Sequence, residues 1–182
     1  MRNSASFTGA VARRSLRPLV LGTAVLALAT ACSSGDTTVQ RVSPGVVQST
    51  VSTDAAGTTW SMRARNVDLA IKDAAVHLGA SGTTALLEFT VDNQGPVAEH
   101  LDLVSVPGIG QATLQGSTGA TNALSTDGVV IYSDSSATFG TKAPSITLST
   151  VKGLKAGGTT QVLLEFGVAG LVRLTVPVLG GA

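Results

Sequence analysis

The chain has 182 residues, a net charge of +1, 43% hydrophobic, 13% charged and 3% aromatic residues, and a single cysteine. One cysteine cannot build a disulfide framework or a thiolate zinc site. So small and dispersed a charge is not that of a nucleic-acid binder, and the abundance of Val, Leu and Ala argues against wholesale disorder.

Residues 1–31 hold Arg2, Arg13, Arg14 and Arg17 and no acid. Without them eight basic residues face eleven acidic ones, so the remainder is net −3. Arg13-Arg14-Ser15-Leu16-Arg17 is a basic start, and Pro18 to Ala31 follows as an apolar run. That run is shorter than the roughly 20 residues a membrane-crossing helix needs, and it matches a secretory signal. Leu28-Ala29-Thr30-Ala31-Cys32 resembles a bacterial lipobox. The resemblance implies a lipid on the Cys32 thiol and cleavage in front of it, so residues 1–31 are expected as a lipoprotein signal peptide. The competing reading is a plain secreted protein with a chance cysteine. The twin arginines allow export of a folded chain, but their context is a loose match and ordinary secretion is the expectation.

Residues 32–59 are rich in Ser, Thr and Gly with Pro44-Gly45 and no sustained period, which predicts a flexible, lipid-anchored linker. From Trp60 onwards the pattern changes, and residues 60–182 are expected as one domain. Val67, Leu69 and Ile71 alternate with polar or small residues, as do Ala85, Leu87, Phe89 and Val91. Leu101 and Leu103 flank Asp102; Val162, Leu164, Phe166 and Val168 share one parity, and so do Val172, Leu174, Val176 and Val178. This period of two predicts half-buried strands. Shorter strands are expected near Ala74–Leu78, Gln111–Gln115, Val129–Ser133 and Ser145–Ser149. Asp92-Asn93-Gln94-Gly95-Pro96, Thr126-Asp127-Gly128 and Ala156-Gly157-Gly158 are turn formers between them. The sum is an all-β chain: an antiparallel, immunoglobulin-like β-sandwich of seven to nine short strands. Leu86-Leu87-Glu88-Phe89 and Leu163-Leu164-Glu165-Phe166 nearly repeat, as two central strands with one in/out pattern would; internal duplication is the weaker explanation. Trp60 is expected to pack the linker onto the sandwich.

Catalytic equipment is scarce. There is no nucleophile elbow, no His-Glu-x-x-His and no phosphate loop, and Gly108-Ile109-Gly110 lacks the third glycine and the helix of a dinucleotide fingerprint. His100 stands beside Glu99 and Asp102, where an acid–base or metal role competes with a solvated polar edge. His77 reads as a surface or edge histidine, and Met62 as packing rather than a soft ligand. Asp127 and Asp134 show no calcium-loop spacing and read as turn residues. No carboxylate pair suggests a glycosidase.

Several segments in order resemble the PCu(A)C copper-chaperone family. They are Val67–Leu78, Thr84–Asn93 with its turn, Ala98-Glu99-His100-Leu101 leading to Ser105, Lys152-Gly153-Leu154-Lys155-Ala156-Gly157, and Leu163–Val178 ending in Val176-Pro177-Val178. With the lipobox, the chain is most similar to the LpqE-like lipoprotein branch. The resemblance implies a cupredoxin-like sandwich on the extracytoplasmic face of the cell membrane. The family's copper motif, His-x10-Met-x21-His-x-Met, is a soft set suited to Cu(I). It does not carry over: Gln115 stands where the first His belongs, Ser145-Ile146-Thr147-Leu148 where His-x-Met belongs, and no Met follows Met62. The expectation is therefore a non-enzymatic accessory or assembly lipoprotein with neither cofactor nor metal. Its partners would be the membrane, through lipidated Cys32, and a respiratory complex containing cytochrome oxidase. The alternative is a copper chaperone with a rearranged Cu(I) site drawn from His77, His100 and Met62. An envelope hydrolase or ligand carrier comes third.

Overall fold

The computed structural model describes residues 38–41 and 47–180, and among them every regular element is a strand. In chain order these are β1 (Thr38–Arg41), β2 (Gln48–Thr53), β3 (Thr58–Ala64), β4 (Val67–Leu78), β5 (Ala85–Asn93), β6 (Glu99–Val106) and β7 (Gly110–Gln111). Then follow β8 (Thr113–Gln115), β9 (Leu124–Ser125), β10 (Gly128–Ile131), β11 (Ser135–Phe139), β12 (Ser145–Leu148), β13 (Thr159–Phe166) and β14 (Gly170–Leu179). No helix among these residues is long and apolar enough to cross a membrane.

The strands form two leaves. The first runs β1–β2–β3–β4–β5, with β11 and β12 both paired to the far side of β5 and β8 beyond β12. The second runs β14–β13–β6–β10–β9, with β7 beside the end of β6. Among the described residues all pairings are antiparallel except one: β14 meets β4 in parallel, Val178 opposite Val76 and Leu179 opposite His77, which joins the leaves. The expected all-β sandwich is therefore present, with fourteen strands among the described residues, twelve of them from β3 onward, rather than seven to nine, and one parallel contact among the antiparallel ones.

Alternation sets the register. On β5 every odd residue from Ala85 to Asn93 is buried and every even one half-exposed. On β13 Val162, Leu164 and Phe166 are buried while Leu163 and Glu165 face out. The two Leu-Leu-Glu-Phe segments thus share one in/out pattern, each on a strand paired on both sides. A slip of one residue would turn Leu87, Phe89 and Val91 to water, at about 1.5–3 kcal/mol for each large side chain. Phe89 and Phe139 pack with ring centroids 4.9 Å apart.

The stretch expected as a linker is strand in part: β1, β2 and the first residues of β3 lie within residues 32–59. Its Ser/Thr sequence is polar on both faces, so no hydrophobic period marks it, yet Thr and Val favour extended backbone. β2 is largely exposed. Trp60, on β3 between Val51 and Ile71, enters the core at 7% exposure, so it anchors this polar ribbon. Cys32 and the signal segment lie outside the described residues.

Two buried polar side chains tie the loops to this frame. Asn93 donates from Nδ2 to the Val97 and Ile131 carbonyls and accepts from the Gly95 N–H at Oδ1. Glu99 accepts at Oε1 from the N–H groups of Val168 (2.7 Å) and His100 (3.0 Å), and at Oε2 from that of Ala169 (2.8 Å). The β13–β14 turn is therefore fastened to the start of β6 by a carboxylate. β4 carries a bulge at Lys72–Ala75, where Asp73 takes a left-handed φ of 55°. Gly57 packs against it so closely that a Cβ there would sit 2.6 Å from the Asp73 carbonyl carbon.

Candidate functional site

Two of the segments that the resemblance sets at copper-motif positions lie side by side. β12 pairs with β8 so that Ser145 lies opposite Gln115 and Thr147 opposite Thr113. Ile146 and Leu148 point into the core, which turns Ser145 and Thr147 to the other face. The Ser145 hydroxyl donates to Gln115 Oε1 at 3.3 Å. The position thus holds a hydroxyl hydrogen-bonded to an amide oxygen. Hydroxyl and amide oxygens are hard donors, poorly matched to Cu(I), and the donor set does not fit a soft metal ion.

The three other candidate ligands are not brought together. Met62 lies opposite Leu69 and His77 eight residues further along β4, a separation of about 25 Å at the rise of a strand. His77 lies opposite Leu179, while His100 lies near the level of Gly170 and Phe166, nine residues back along β14 and about 30 Å away. Among the described residues no group of three or more His, Cys, Asp or Glu side chains is placed to hold a metal ion.

His77 is not at an edge; β4 is flanked there by β5 and β14. Its Nε2 stands 3.6 Å from Glu88 Oε2 across the β4–β5 pair. Both line a groove of about 550 Å³ with Asp73, Thr141 and Lys142, and a second lobe of about 490 Å³ continues past His77 along Leu78, Ala80 and Leu86. The groove opens where β5 exchanges partners: β11 leaves it at Phe89 and β12 joins it at Leu86. Sequence reading missed it, because its polar wall comes from the bulge at Asp73 and from a loop, neither of which has a period. The unusual signal was Lys72-Asp73 interrupting the alternation of β4.

His100 is half-buried between β10 and β13, opposite Val130. Near it, partial desolvation raises the Asp102 pKa above its ordinary value; Glu165, Glu99 and Asp127 push the same way and His100 opposes them. Asp127 caps the β9–β10 turn, its N–H donating to Ser125 Oγ. Asp134 sits in a turn with φ 52°. Both are the turn residues the sequence suggests. Gly108-Ile109-Gly110 is the turn from β6 to β7, closed by Ile109 N–H to the Val106 carbonyl.

No family model matches the chain, and no curated protein does. Solved structures do. The copper-bound PCuAC domain from PmoF2 superposes with a TM-score of 0.52 at 16% identity, over 63% of this chain and 93% of that one. The apo PCuAC domain from PmoF1 gives 0.53 at 18%, over 63% and 94%. The fold is that of a PCuAC domain. At these identities the likeness is one of architecture, and it bears out the fold implied by the segments from Val67 to Val178. Ser145 and Gln115, which the resemblance set at ligand positions, form a hydroxyl–amide pair in this fold.

Proposed function

We propose that this chain is a non-catalytic, lipid-anchored protein of the extracytoplasmic membrane face, using a PCuAC fold as a binding or assembly module. Its partner on this reading is a membrane complex, the respiratory assembly that contains cytochrome oxidase. The observation that carries the proposal is the hydrogen bond from Ser145 to Gln115 at the motif positions. A domain that keeps the architecture and fills the metal positions with hydrogen-bonded hard donors is suited to contact rather than to metal transfer. A tether at Cys32 would raise its local concentration at a membrane partner. Replacing Cys32 by Ala tests the anchor: the protein should leave the membrane fraction or remain unprocessed, and retention by membranes would refute the anchor. Mild detergent extraction with a C-terminal tag tests the partner: respiratory subunits should be recovered, and recovery of unrelated envelope proteins alone would refute it.

A second reading has one observation in its favour, a structural neighbour that is copper-bound. On that reading the chain is a copper chaperone with a rearranged site using His77, His100 or Met62. Cu(I) titration of the soluble domain decides between the two. Stoichiometric tight binding that is lost with His77→Ala or His100→Ala would favour the chaperone.

A further inference from the structure

Both leaves present mostly polar outward faces. On the first, the outward positions of β4, β5 and β11 are mostly polar: Lys72, Glu88, Thr90, Asp92, Ser136 and Thr138. Lys72 is ion-paired to Asp92, and Thr90 is bonded to Thr138. On the second leaf three leucines occupy outward positions on three neighbouring strands. Leu103 of β6 lies opposite Glu165 of β13, Glu165 lies opposite Leu171 of β14, and Leu163 stands two residues before Glu165 on the same face. Leu171 is 52% exposed. The β13–β14 turn next to it also shows Val168 at 46%, and Glu99 holds that turn rigid from beneath. Among the described residues no helix or third layer covers this face, and the leucines interrupt polar positions at Asp102, Ser105, Gln161, Arg173 and Thr175.

The charge around the leucines has one dominant sign. Glu165 lies in their midst and, among the described residues, has no ion-pair partner. Asp102, exposed on β6, and Asp127 lie close by. Arg173, opposite Leu163, is the cation of the face. An anionic bilayer would be repelled by this arrangement, whereas a basic residue set among apolar side chains would complement it.

We infer that the outer face of β14–β13–β6, centred on Leu103, Leu163 and Leu171 around Glu165, is the docking surface for a protein partner that presents apolar side chains flanking a lysine or arginine. The inference rests on the reading of the chain as a binding module and names the surface that reading requires.

A photo-crosslinker placed at Leu163 in the full chain, with Thr90 on the opposite leaf as control, tests it in cells, the crosslinked peptides being identified by mass spectrometry. Leu163 should give a predominant protein adduct through a peptide carrying Lys or Arg beside apolar residues, and Thr90 should not. The adduct should fall several-fold with Leu171→Asp and with Glu165→Lys. Both side chains are exposed, so the urea midpoints of these variants should stay near that of the parent and exclude unfolding as the cause. Equal adducts from both positions, adducts only to lipid or to the chain itself, or an adduct indifferent to both substitutions would overturn the inference. An adduct of the expected chemistry to a protein outside the respiratory assembly would uphold this surface and refute the partner proposed above. Respiratory adducts from Thr90 alone would do the reverse.

Discussion

Ser145 on β12 and Gln115 on β8 face each other across an antiparallel pair and are joined by a hydrogen bond of 3.3 Å. That pairing makes the loss of soft ligands testable by restoration. Gln115→His, Ser145→His and Thr147→Met together would set two imidazoles and a thioether on one face of the β8–β12 pair, with Cβ atoms about 5 Å apart for directly opposed residues. The triple variant should bind Cu(I) tightly in competition with a chromogenic chelator, and the parent should not. Failure of the variant to bind would show that these positions are not equivalent to the motif. Ser145→Ala alone should cost no more than about 1 kcal/mol, since the bond is only partly buried.

Glu99→Gln should be far more damaging than its small change in shape suggests. The carboxylate accepts three backbone N–H groups, and an amide nitrogen in place of one oxygen would point a donor at donors. A loss of about 2–4 kcal/mol in urea denaturation is expected. Amide exchange at Val168 and Ala169 should rise more than at Leu164.

Gly128→Ala combines two penalties at one position. Its φ is 99°, and a Cβ would approach the Leu101 carbonyl oxygen to 2.3 Å. Strain and displacement of β6 together should cost about 2–4 kcal/mol. Gly153→Ala, with φ 99° but nothing within 4 Å, isolates the strain and should cost less. Equal losses would show that the close contact is relieved by movement.

Asp102 gives the domain a pH dependence of definite sign. Though exposed, it has a folded pKa raised above the ordinary 3.8, chiefly by partial desolvation, so between the two values the folded chain binds more protons than the unfolded one. The folded state therefore loses stability as pH rises through that window. Asp102→Asn should remove this loss. The urea midpoints of parent and variant should coincide near pH 3 and the variant's should be higher at pH 7. A lower midpoint at pH 7 would mean that the ionised carboxylate is stabilising.

The legible part of the fold is the part that alternates. β5, β13 and β14 announce themselves because Val, Leu and Phe fall on one parity. β1 and β2 do not, since Gln48–Thr53 is polar on both faces and is recruited by pairing with β3 rather than by burial. β11 was equally silent: Ser135-Ser136-Ala137-Thr138-Phe139 has only two apolar side chains, yet both are buried against β5. The motif positions were legible as a pair of absences, and their juxtaposition follows from the β8–β12 register. The groove beside His77 was not, because a bulge and a partner exchange build it. The leucines around Glu165 were present in the repeat Leu163-Leu164-Glu165-Phe166, but only the pairing with β14 and β6 shows that Leu103 and Leu171 join them.

The single parallel contact, Val178 and Leu179 of β14 beside Val76 and His77 of β4, governs the order in which the chain can fold. About a hundred residues separate these partners, so the joint between the leaves carries one of the longest loop-closure costs in the domain. Synthesis from the N-terminus delivers β4 and β5 early, but their outer neighbour arrives with the last strand. Until then the Val76 edge lacks this partner, and closure rather than hairpin formation is the expected slow step in reaching the native sandwich.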